Sequence, residues 1–169
     1  MIYDNIDLIN DCLRDLLKNI NINISHSTIL LISELTVLLQ RQFIGCKDHF
    51  PLICEKFKEK NEKMNKDIHV CLVNMITNTN HLGEYTDFLD SMLDDKSIHY
   101  KTSICEFILS AITQTYINTL KLFSFELTEI IAKLTEDTSH EIRTLAIKIL
   151  AVLKVRLGSN FNDKSKKKL

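Results

Sequence analysis

The side chains best suited to chemistry in this sequence form one short group, Cys46, His49 and Cys54, followed by His69 and Cys71. A zinc site needs three or four such ligands converging on one point. Helical spacing places these five on several faces of different predicted helices, so no metal site is predicted. The chain has five cysteines, an odd number with no C-x-x-C pair, and most lie at apolar helix positions. We therefore expect reduced core thiols rather than disulfides.

The sequence also contains no recognisable catalytic arrangement. No nucleophile–base pair occurs at plausible spacing, and no Gly-rich loop could cradle a phosphate. We therefore expect a protein that is not an enzyme, with no cofactor and no small-molecule substrate. A DNA base glycosylase built from helical repeats would need basic helix faces and aromatic contacts. Basic residues on helix faces are sparse and tryptophan is absent, so nucleic acid is not the expected partner.

Composition indicates the fold class. The 169 residues are 45% hydrophobic and 25% charged, as in an ordinary globular protein, and three glycines and one proline are too few for a sheet with many tight turns. We therefore predict an all-α fold. The formal net charge of −1 implies that an electrostatic partner must be met by a local patch. The longest apolar run is far short of the ~20 residues that cross a bilayer, and the acidic start does not resemble a signal peptide. These features predict a cytoplasmic protein without a membrane partner.

The apolar spacing predicts eight helices in four pairs. Helix two is apolar nearly all round, so we expect other elements to cover it on several sides. Ser97 is a predicted N-cap, Thr138–Glu141 reads as a capping box for the last helix, and Gly158 should end that helix. The expected helices cover approximately residues 4–18, 27–42, 50–57, 68–76, 85–92, 97–111, 118–134 and 138–157.

The turns inside the four pairs recur at a regular interval. They begin near Asn21, Lys60, Asp94 and Glu136, and intervals of roughly 35–42 residues are typical of two-helix HEAT repeats. Stacked hairpins place all such turns along one edge. We therefore predict an α-solenoid of about four HEAT-type hairpins over residues 1–158, followed by a basic tail over residues 159–169. The predicted edge contains Asn21, Lys60, Lys63, Lys66, Lys96, Lys101 and Arg143.

Each residue of that edge also has a purely structural explanation. The three lysines near the second turn could form a solvated corner, and Lys101 could be an ordinary surface residue of a first helical turn. Arg143 could tie into the neighbouring turn through an Asp, here Asp137, and Asn21 could serve as a turn former. The histidines of the turns are expected to be solvated or to cap helices; they are His26, His99 and His140.

Three stretches resemble the TOG domains of the microtubule polymerase family in order and approximate spacing. They are "FPLICEKFKEKNEKMNKDI" (50–68), "FLDSMLDDKSIHYKTSICEFI" (88–108) and "LTEDTSHEIRTLAIKILAVLKVRLG" (134–158). The resemblance extends over about residues 10–158, and "EKFKEK" is its most specific part. It implies a non-catalytic HEAT-repeat module that binds curved αβ-tubulin, or the microtubule, along the edge of its turns. A cytoskeletal location follows from the same resemblance.

Carried over by position, the resemblance makes residues 21–23, 60–63 and 96–101 the third, fourth and fifth repeat turns. Lys101 then holds the place where the family usually has a Lys or Arg. A whole TOG domain has two further repeats before these and an aromatic anchor, typically Trp, in the first turn. This sequence lacks tryptophan, so we expect a reduced affinity for tubulin.

The sequence also allows two alternatives. The chain could be a generic HEAT scaffold that binds another protein, for example a trafficking or chromatin adaptor. The basic tail could attract an acidic surface such as a microtubule lattice, act as a nuclear address, or simply aid solubility. Its basic residues are Lys164, Lys166, Lys167 and Lys168.

Overall fold

The computed structural model describes residues 5–158, which contain helices and turns and no β-strand. The prediction of an all-α protein is therefore confirmed for this part of the chain. Its α-helices are α1 (Ile6–Leu17), α2 (Ile22–Leu39), α3 (Phe50–Glu55), α4 (Glu62–Asn78), α5 (Thr86–Leu93), α6 (Ile98–Gln114), α7 (Ile117–Lys133) and α8 (His140–Leu157). Short 3₁₀ helices cover Gln40–Gln42, Cys46–His49, Lys56–Glu59, Leu82–Tyr85 and Leu134–Glu136.

The chain divides into two compact units, residues 1–80 and 81–169. In the first unit α1 packs on α2 and α3 on α4, and the two hairpins meet through α2 with α4 and α1 with α3. The second unit repeats this pattern with α5 and α6 as one hairpin, α7 and α8 as the other, and contacts between α6 and α8 and between α5 and α7. Each unit thus contains two stacked helical hairpins. The predicted tail, including Lys164, Lys166, Lys167 and Lys168, lies outside the described residues.

Local sequence determines where α2, α4 and α6 begin. The side chains of Asn21, Asn61 and Ser97 accept hydrogen bonds from backbone N–H groups two or three residues further on, at 3.0, 3.0 and 3.3 Å. Each such cap typically contributes about 1 kcal/mol to stability. The predicted cap at Ser97 is confirmed.

The start of α8 differs from the predicted capping box over Thr138–Glu141. Ser139 is the N-cap residue, and its side chain caps no backbone N–H of the described helix. Because the helix starts one residue later than predicted, Glu141 lies too early in the first turn to reach back to the cap. Asp137 shapes this turn instead, since its Oδ1 accepts from the Ser139 N–H at 2.8 Å. The predicted end at Gly158 is confirmed, at a φ of 59° that favours glycine.

Helix α2 is less covered than its sequence suggests. It begins at Ile22 rather than near residue 27, because the Asn21 cap allows an earlier start. Its buried side carries four hydroxyl residues and two isoleucines, whereas five aliphatic side chains of the helix are exposed. The prediction that other elements cover α2 on several sides is wrong for the described chain. The exposed side chains are Ile24, Leu30, Leu31, Val37 and Leu38.

The segment Ile22–Gln42 is long and apolar enough to cross a membrane by length and composition alone, with a mean hydropathy of 1.5. The segment reaches this value only as an average, since it contains no unbroken apolar run of that length, and the absence of a membrane partner stays a prediction. Scattered Ser and Thr residues interrupt the apolar run without lowering its average hydropathy very far. One third of the segment's most apolar window is buried within the structure, and core helices of globular proteins satisfy the same criteria.

Both units are stabilised by side chains that are excluded from solvent, each contributing roughly 1.5–3 kcal/mol by burial. Cys46, Cys54, Cys71 and Cys105 are buried free thiols, as predicted, whereas Cys12 is exposed. Burial raises the pKa of Cys46 to about 12, so this thiol stays protonated and unreactive at neutral pH. The largest fully buried side chains include Phe50, Phe57, Ile53, Met64, Ile68 and Leu72 in the first unit and Tyr85, Tyr100 and Phe107 in the second.

A buried polar contact ties α1 to the loop that precedes α3. Asn10 donates to the Ile44 carbonyl oxygen at 2.7 Å, and its Oδ1 accepts from His49 Nε2 at 2.9 Å. A Cβ at Gly45 would lie 2.6 Å from the Asn10 amide nitrogen, so the loop passes too closely for a larger residue. Burial, reinforced by the nearby Arg14 guanidinium, lowers the pKa of His49 to about 4.

Because His49 is neutral in the folded chain, we expect the free energy of unfolding to decrease in mild acid. Its pKa in the folded chain lies below the ordinary 6.5, so the unfolded chain binds the proton more readily. The full stability is therefore present above about pH 6.5 and falls by about 2–3 kcal/mol as the pH drops towards 4. Urea unfolding at several pH values checks this. His49→Gln should flatten the profile, and an equally steep profile in that variant would contradict the assignment.

Candidate functional site

Two hydrogen bonds join α2 to α4 in the first unit, and each connects residues that are the same distance apart in the sequence. His26 Nε2 lies 2.7 Å from Asp67 Oδ2, and Asn74 Nδ2 donates to Ser33 Oγ at 2.9 Å. Both pairs are 41 residues apart, so α2 and α4 run parallel and in register. The turns that precede them, residues 18–21 and 60–61, therefore lie at the same end of the unit. We call this end the first turn edge.

The second unit shows the same alignment. Lys101 Nζ donates to Asp137 Oδ2 near the start of α6 and α8, and Arg156 Nη1 donates to the Ile112 carbonyl oxygen near their ends. Helices α6 and α8 are therefore parallel, and the turns over residues 94–97 and 137–139 share one end of the unit. We call this end the second turn edge.

The first turn edge carries exposed lysines. Lys60, Lys63 and Lys66 are all exposed, and none has a carboxylate partner within 4 Å among the described residues. Asn21 is exposed as well, but its side chain is used as the α2 cap. The three ammonium groups are thus available to an acidic partner, whereas the Asn21 amide is already partly engaged.

Lys60 adopts an unusual backbone conformation. Its φ of 54° and ψ of 30° lie in the left-handed helical region, where it ends the 3₁₀ helix Lys56–Glu59. Glycine usually fills this position because a Cβ costs about 1–2 kcal/mol there. A lysine held in this conformation is a site of strain, and such strain often accompanies function.

The second turn edge differs from the first, because two of its three predicted basic residues already have partners within the chain. Lys96 is exposed, but Lys101 is only 9% exposed and forms an ion pair with Asp137. The expectation of Lys101 as an exposed contact residue therefore does not match the structure. The reason lies in the tertiary fold, which brings the next hairpin's turn against the first turn of α6.

Arg143 also acts within its own turn. Its Nη1 donates to the carbonyl oxygens of Asp137 and Thr138, at 2.7 and 2.9 Å. The structural tie predicted for Arg143 exists, but it runs through the backbone of Asp137 rather than through the carboxylate. Lys101, the Ser139 N–H and the Arg143 charge together hold the pKa of Asp137 below its usual range.

Acidic residues balance the lysines in part. Glu59 and Glu62 are exposed beside Lys60 and Lys63, and Asp94 is exposed two residues before Lys96. Lys66 lies further along α4. The edges therefore present individual cations at fixed positions rather than a continuous basic surface.

The hydrogen bonds between hairpins were not predicted from the sequence, and His26 is less solvated than predicted because its ring contacts Asp67. A signal was available, because a common offset of about 41 residues between polar residues of α2 and α4 follows the repeat interval. For metals, no group of three His, Cys, Asp or Glu side chains converges within residues 5–158. No shared set of metal ligands is therefore formed by the five residues named above, Cys46, His49, Cys54, His69 and Cys71.

Comparisons with known proteins give one relevant similarity. No family model matches the chain. The chain is 27% identical over 143 residues to centrosomal protein 224 of Dictyostelium discoideum. The matched region is 83% of this chain but only 7% of the length of that much longer protein. The chain is therefore similar to one small part of a centrosomal protein.

Proposed function

We propose that this chain is a non-enzymatic tubulin-binding module that regulates microtubule assembly. Its four hairpins would form a HEAT-type solenoid of the TOG kind and would bind αβ-tubulin through their turns. The exposed, unpaired lysines of the first turn edge are the observation that carries this proposal. A cytoplasmic, cytoskeletal location is part of it.

Three further features support the proposal. Lys60 is held in a conformation that glycine would adopt at lower energy, which is understandable if its charge is needed at that point. Tubulin is acidic, so lysines on a rigid edge can steer and orient it. The similarity to part of a centrosomal protein agrees with a role at the cytoskeleton.

The geometry narrows the proposed contact set. Lys60, Lys63 and Lys96 are exposed and are the residues expected to touch tubulin, with Lys66 beside them. Lys101 and Arg143 are expected to hold the second turn edge in shape, because both are engaged with Asp137 or its turn. Asn21 is expected to position α2 and to contribute little binding energy directly.

The decisive test is co-elution of the chain with unpolymerised αβ-tubulin on a sizing column, at low and at physiological salt. We expect a salt-sensitive complex, because the contacts are exposed charges. Reversing Lys60, Lys63 and Lys96 to Glu should weaken binding by about tenfold or more, with helicity and melting temperature nearly unchanged.

A matched control reverses three exposed lysines of α7 and α8, Lys121, Lys148 and Lys154, and changes the net charge by the same amount. This control should bind tubulin like the parent. Absence of a complex at both salt concentrations, or equal binding by the edge variant, would refute the lysine-edge mechanism. Lys60→Gly adds a second check, since it should weaken binding while it relieves backbone strain.

A generic protein-interaction scaffold is the second candidate function. The exposed aliphatic side chains of α2 favour it, because such a patch is typical of protein–protein contacts. It predicts a partner whose binding is insensitive to the edge lysines and to salt. The same edge and control variants therefore distinguish the two functions.

A further inference from the structure

Helix α2 is turned with its apolar side outwards. Four of its six buried residues are Ser or Thr, whereas Ile24, Leu31 and Leu38 are 38%, 48% and 74% exposed. The buried hydroxyls are satisfied locally, for example Thr28 Oγ1, which donates to the Ile24 carbonyl oxygen at 2.8 Å. The small hydroxyl residues allow close packing inside the unit, and the bulky aliphatic residues are left without a partner among the described residues.

The outward residues form a ridge with internal symmetry. Ile24, Leu31 and Leu38 recur at intervals of seven, so they lie on one face of the helix, and Leu31 is at the midpoint of the three. A two-fold axis at Leu31 would pair the two Leu31 side chains and would place each Ile24 opposite Leu38 of the second copy. From this geometry we propose that the outer face of α2 is the interface of a homodimer, with the two α2 helices antiparallel.

A groove beside the ridge accommodates the second copy. It runs between α1 and α2 and is lined by Leu16, Asn23, Ile24, Ser27, Thr28 and Leu31. In the antiparallel arrangement the projecting Leu38 of one copy meets this groove on the other. Side chains of one helix filling grooves of another are the general mode of helix packing.

The amount of apolar surface is sufficient for a small interface. Leu30 and Val37 lie about 100° further round α2, beyond Glu34, and Ile20 precedes the helix. With these three the exposed fractions equal about three and a half fully exposed aliphatic side chains. At ~100 Å² of apolar surface each, the patch offers ~350 Å². A small specific dimer buries ~600 Å² per partner, of which about 60% is apolar. The patch therefore suits a small, reversible dimer.

Charge favours the antiparallel direction. Glu34 is the only acidic residue of α2, and the helix contains no Lys or Arg. In a parallel pair the two Glu34 carboxylates would face each other. In the antiparallel pair they lie on opposite sides of the axis, separated by about six residues or ~9 Å along the helix, and like charges do not meet.

Sedimentation equilibrium of the full 169-residue chain tests the proposal. Across micromolar concentrations the mass should rise from 19.6 kDa towards twice that value. Leu31→Glu should raise the dissociation constant by about thirtyfold or more, because it places two carboxylates on the axis. Leu38→Glu, at a more exposed position, should act in the same direction. Unchanged circular dichroism would show that both variants fold.

The matched control is Leu122→Glu on α7, where the leucine is 70% exposed and lies outside the patch. It should dimerise like the parent. A parent that stays monomeric would overturn the proposal, and if such a monomer sediments with phosphatidylcholine vesicles, the occupant of the α2 face is lipid instead. Equal dimerisation by Leu31→Glu would also overturn it.

The antiparallel direction has its own test. In a Cys12→Ser background, Ile24→Cys and Leu38→Cys chains mixed together should be joined by a short bis-maleimide cross-linker. Ile24→Cys alone should give little product, because its symmetry partner is Leu38. Efficient cross-linking of Ile24→Cys with itself would refute the antiparallel arrangement.

Discussion

Replacing Lys101 with methionine should lower the free energy of unfolding by about 2–3 kcal/mol. Methionine keeps the length and apolar stem of the side chain and removes only the charge. Asp137, whose side chain is 10% exposed, then loses its ion-pair partner and keeps only the Ser139 N–H and the nearby Arg143. Leaving a buried charge unpaired costs more than the pair itself contributes. Urea unfolding measures the effect, and Lys96→Met, an exposed turn lysine, should change stability by less than ~0.5 kcal/mol.

The pH dependence of this difference identifies its cause. Lys101 holds the pKa of Asp137 below the ordinary value of 3.8. The contribution to stability is therefore present above about pH 4 and is lost as the pH falls through the lower pKa of the folded chain. The gap between parent and Lys101→Met should be constant near neutral pH and should close in acid. A gap that persists in acid would indicate lost packing instead of lost charge.

A double variant separates the pair from its surroundings. Lys101→Met combined with Asp137→Asn should be more stable than Lys101→Met alone, because the unpaired charge is gone. Equal or lower stability of the double variant would contradict coupling between the two residues. Tubulin binding by Lys101→Met, measured where the variant is folded, should be much less affected than binding by the Lys60, Lys63 and Lys96 variant.

Replacing Gly83 with valine should destabilise the chain by about 2–3 kcal/mol. A Cβ at Gly83 would lie 2.7 Å from Cβ, Cγ and Cδ1 of Phe123. These Phe123 atoms lie near the α7 backbone and cannot move away without shifting the helix, and overpacking of this kind typically costs 1–3 kcal/mol. The same Phe123 ring stacks on His81, with ring centres 5.9 Å apart, so the displacement would also break this contact.

Thermal unfolding checks the Gly83 prediction. Ser91→Val on the exposed side of α5 is the control, since it adds the same β-branched side chain without a clash. Gly83→Ala should give a smaller loss than Gly83→Val, because it adds the Cβ alone. A loss below ~1 kcal/mol in the valine variant would show that α7 can shift to make room.

Much of the candidate site was predictable, because its turns are encoded locally. The N-cap residue Ser97 and the ending glycine Gly158 are recognised from adjacent residues alone, whereas Asn21 was predicted only as a turn former and not as the cap of α2. The exposed turn lysines Lys60 and Lys63 follow from their place between two helices. The burial and ion pairing of Lys101 could not be predicted. Nothing near it in the sequence indicates that Asp137, 36 residues later, would lie beside its ammonium group.

The sequence by itself determined the helical class and the repeat of hairpins at intervals of about 40 residues. These properties depend on apolar spacing and caps, which act within one or two turns of helix. Only the tertiary structure decided which side of α2 is buried. The apolar residues of α2 extend nearly all round the helix, so the sequence pattern of α2 alone could not predict which face is buried. Packing against α1 and α4 selected the face with small hydroxyl residues, since these allow the closest approach, and left Leu31 and Leu38 outside.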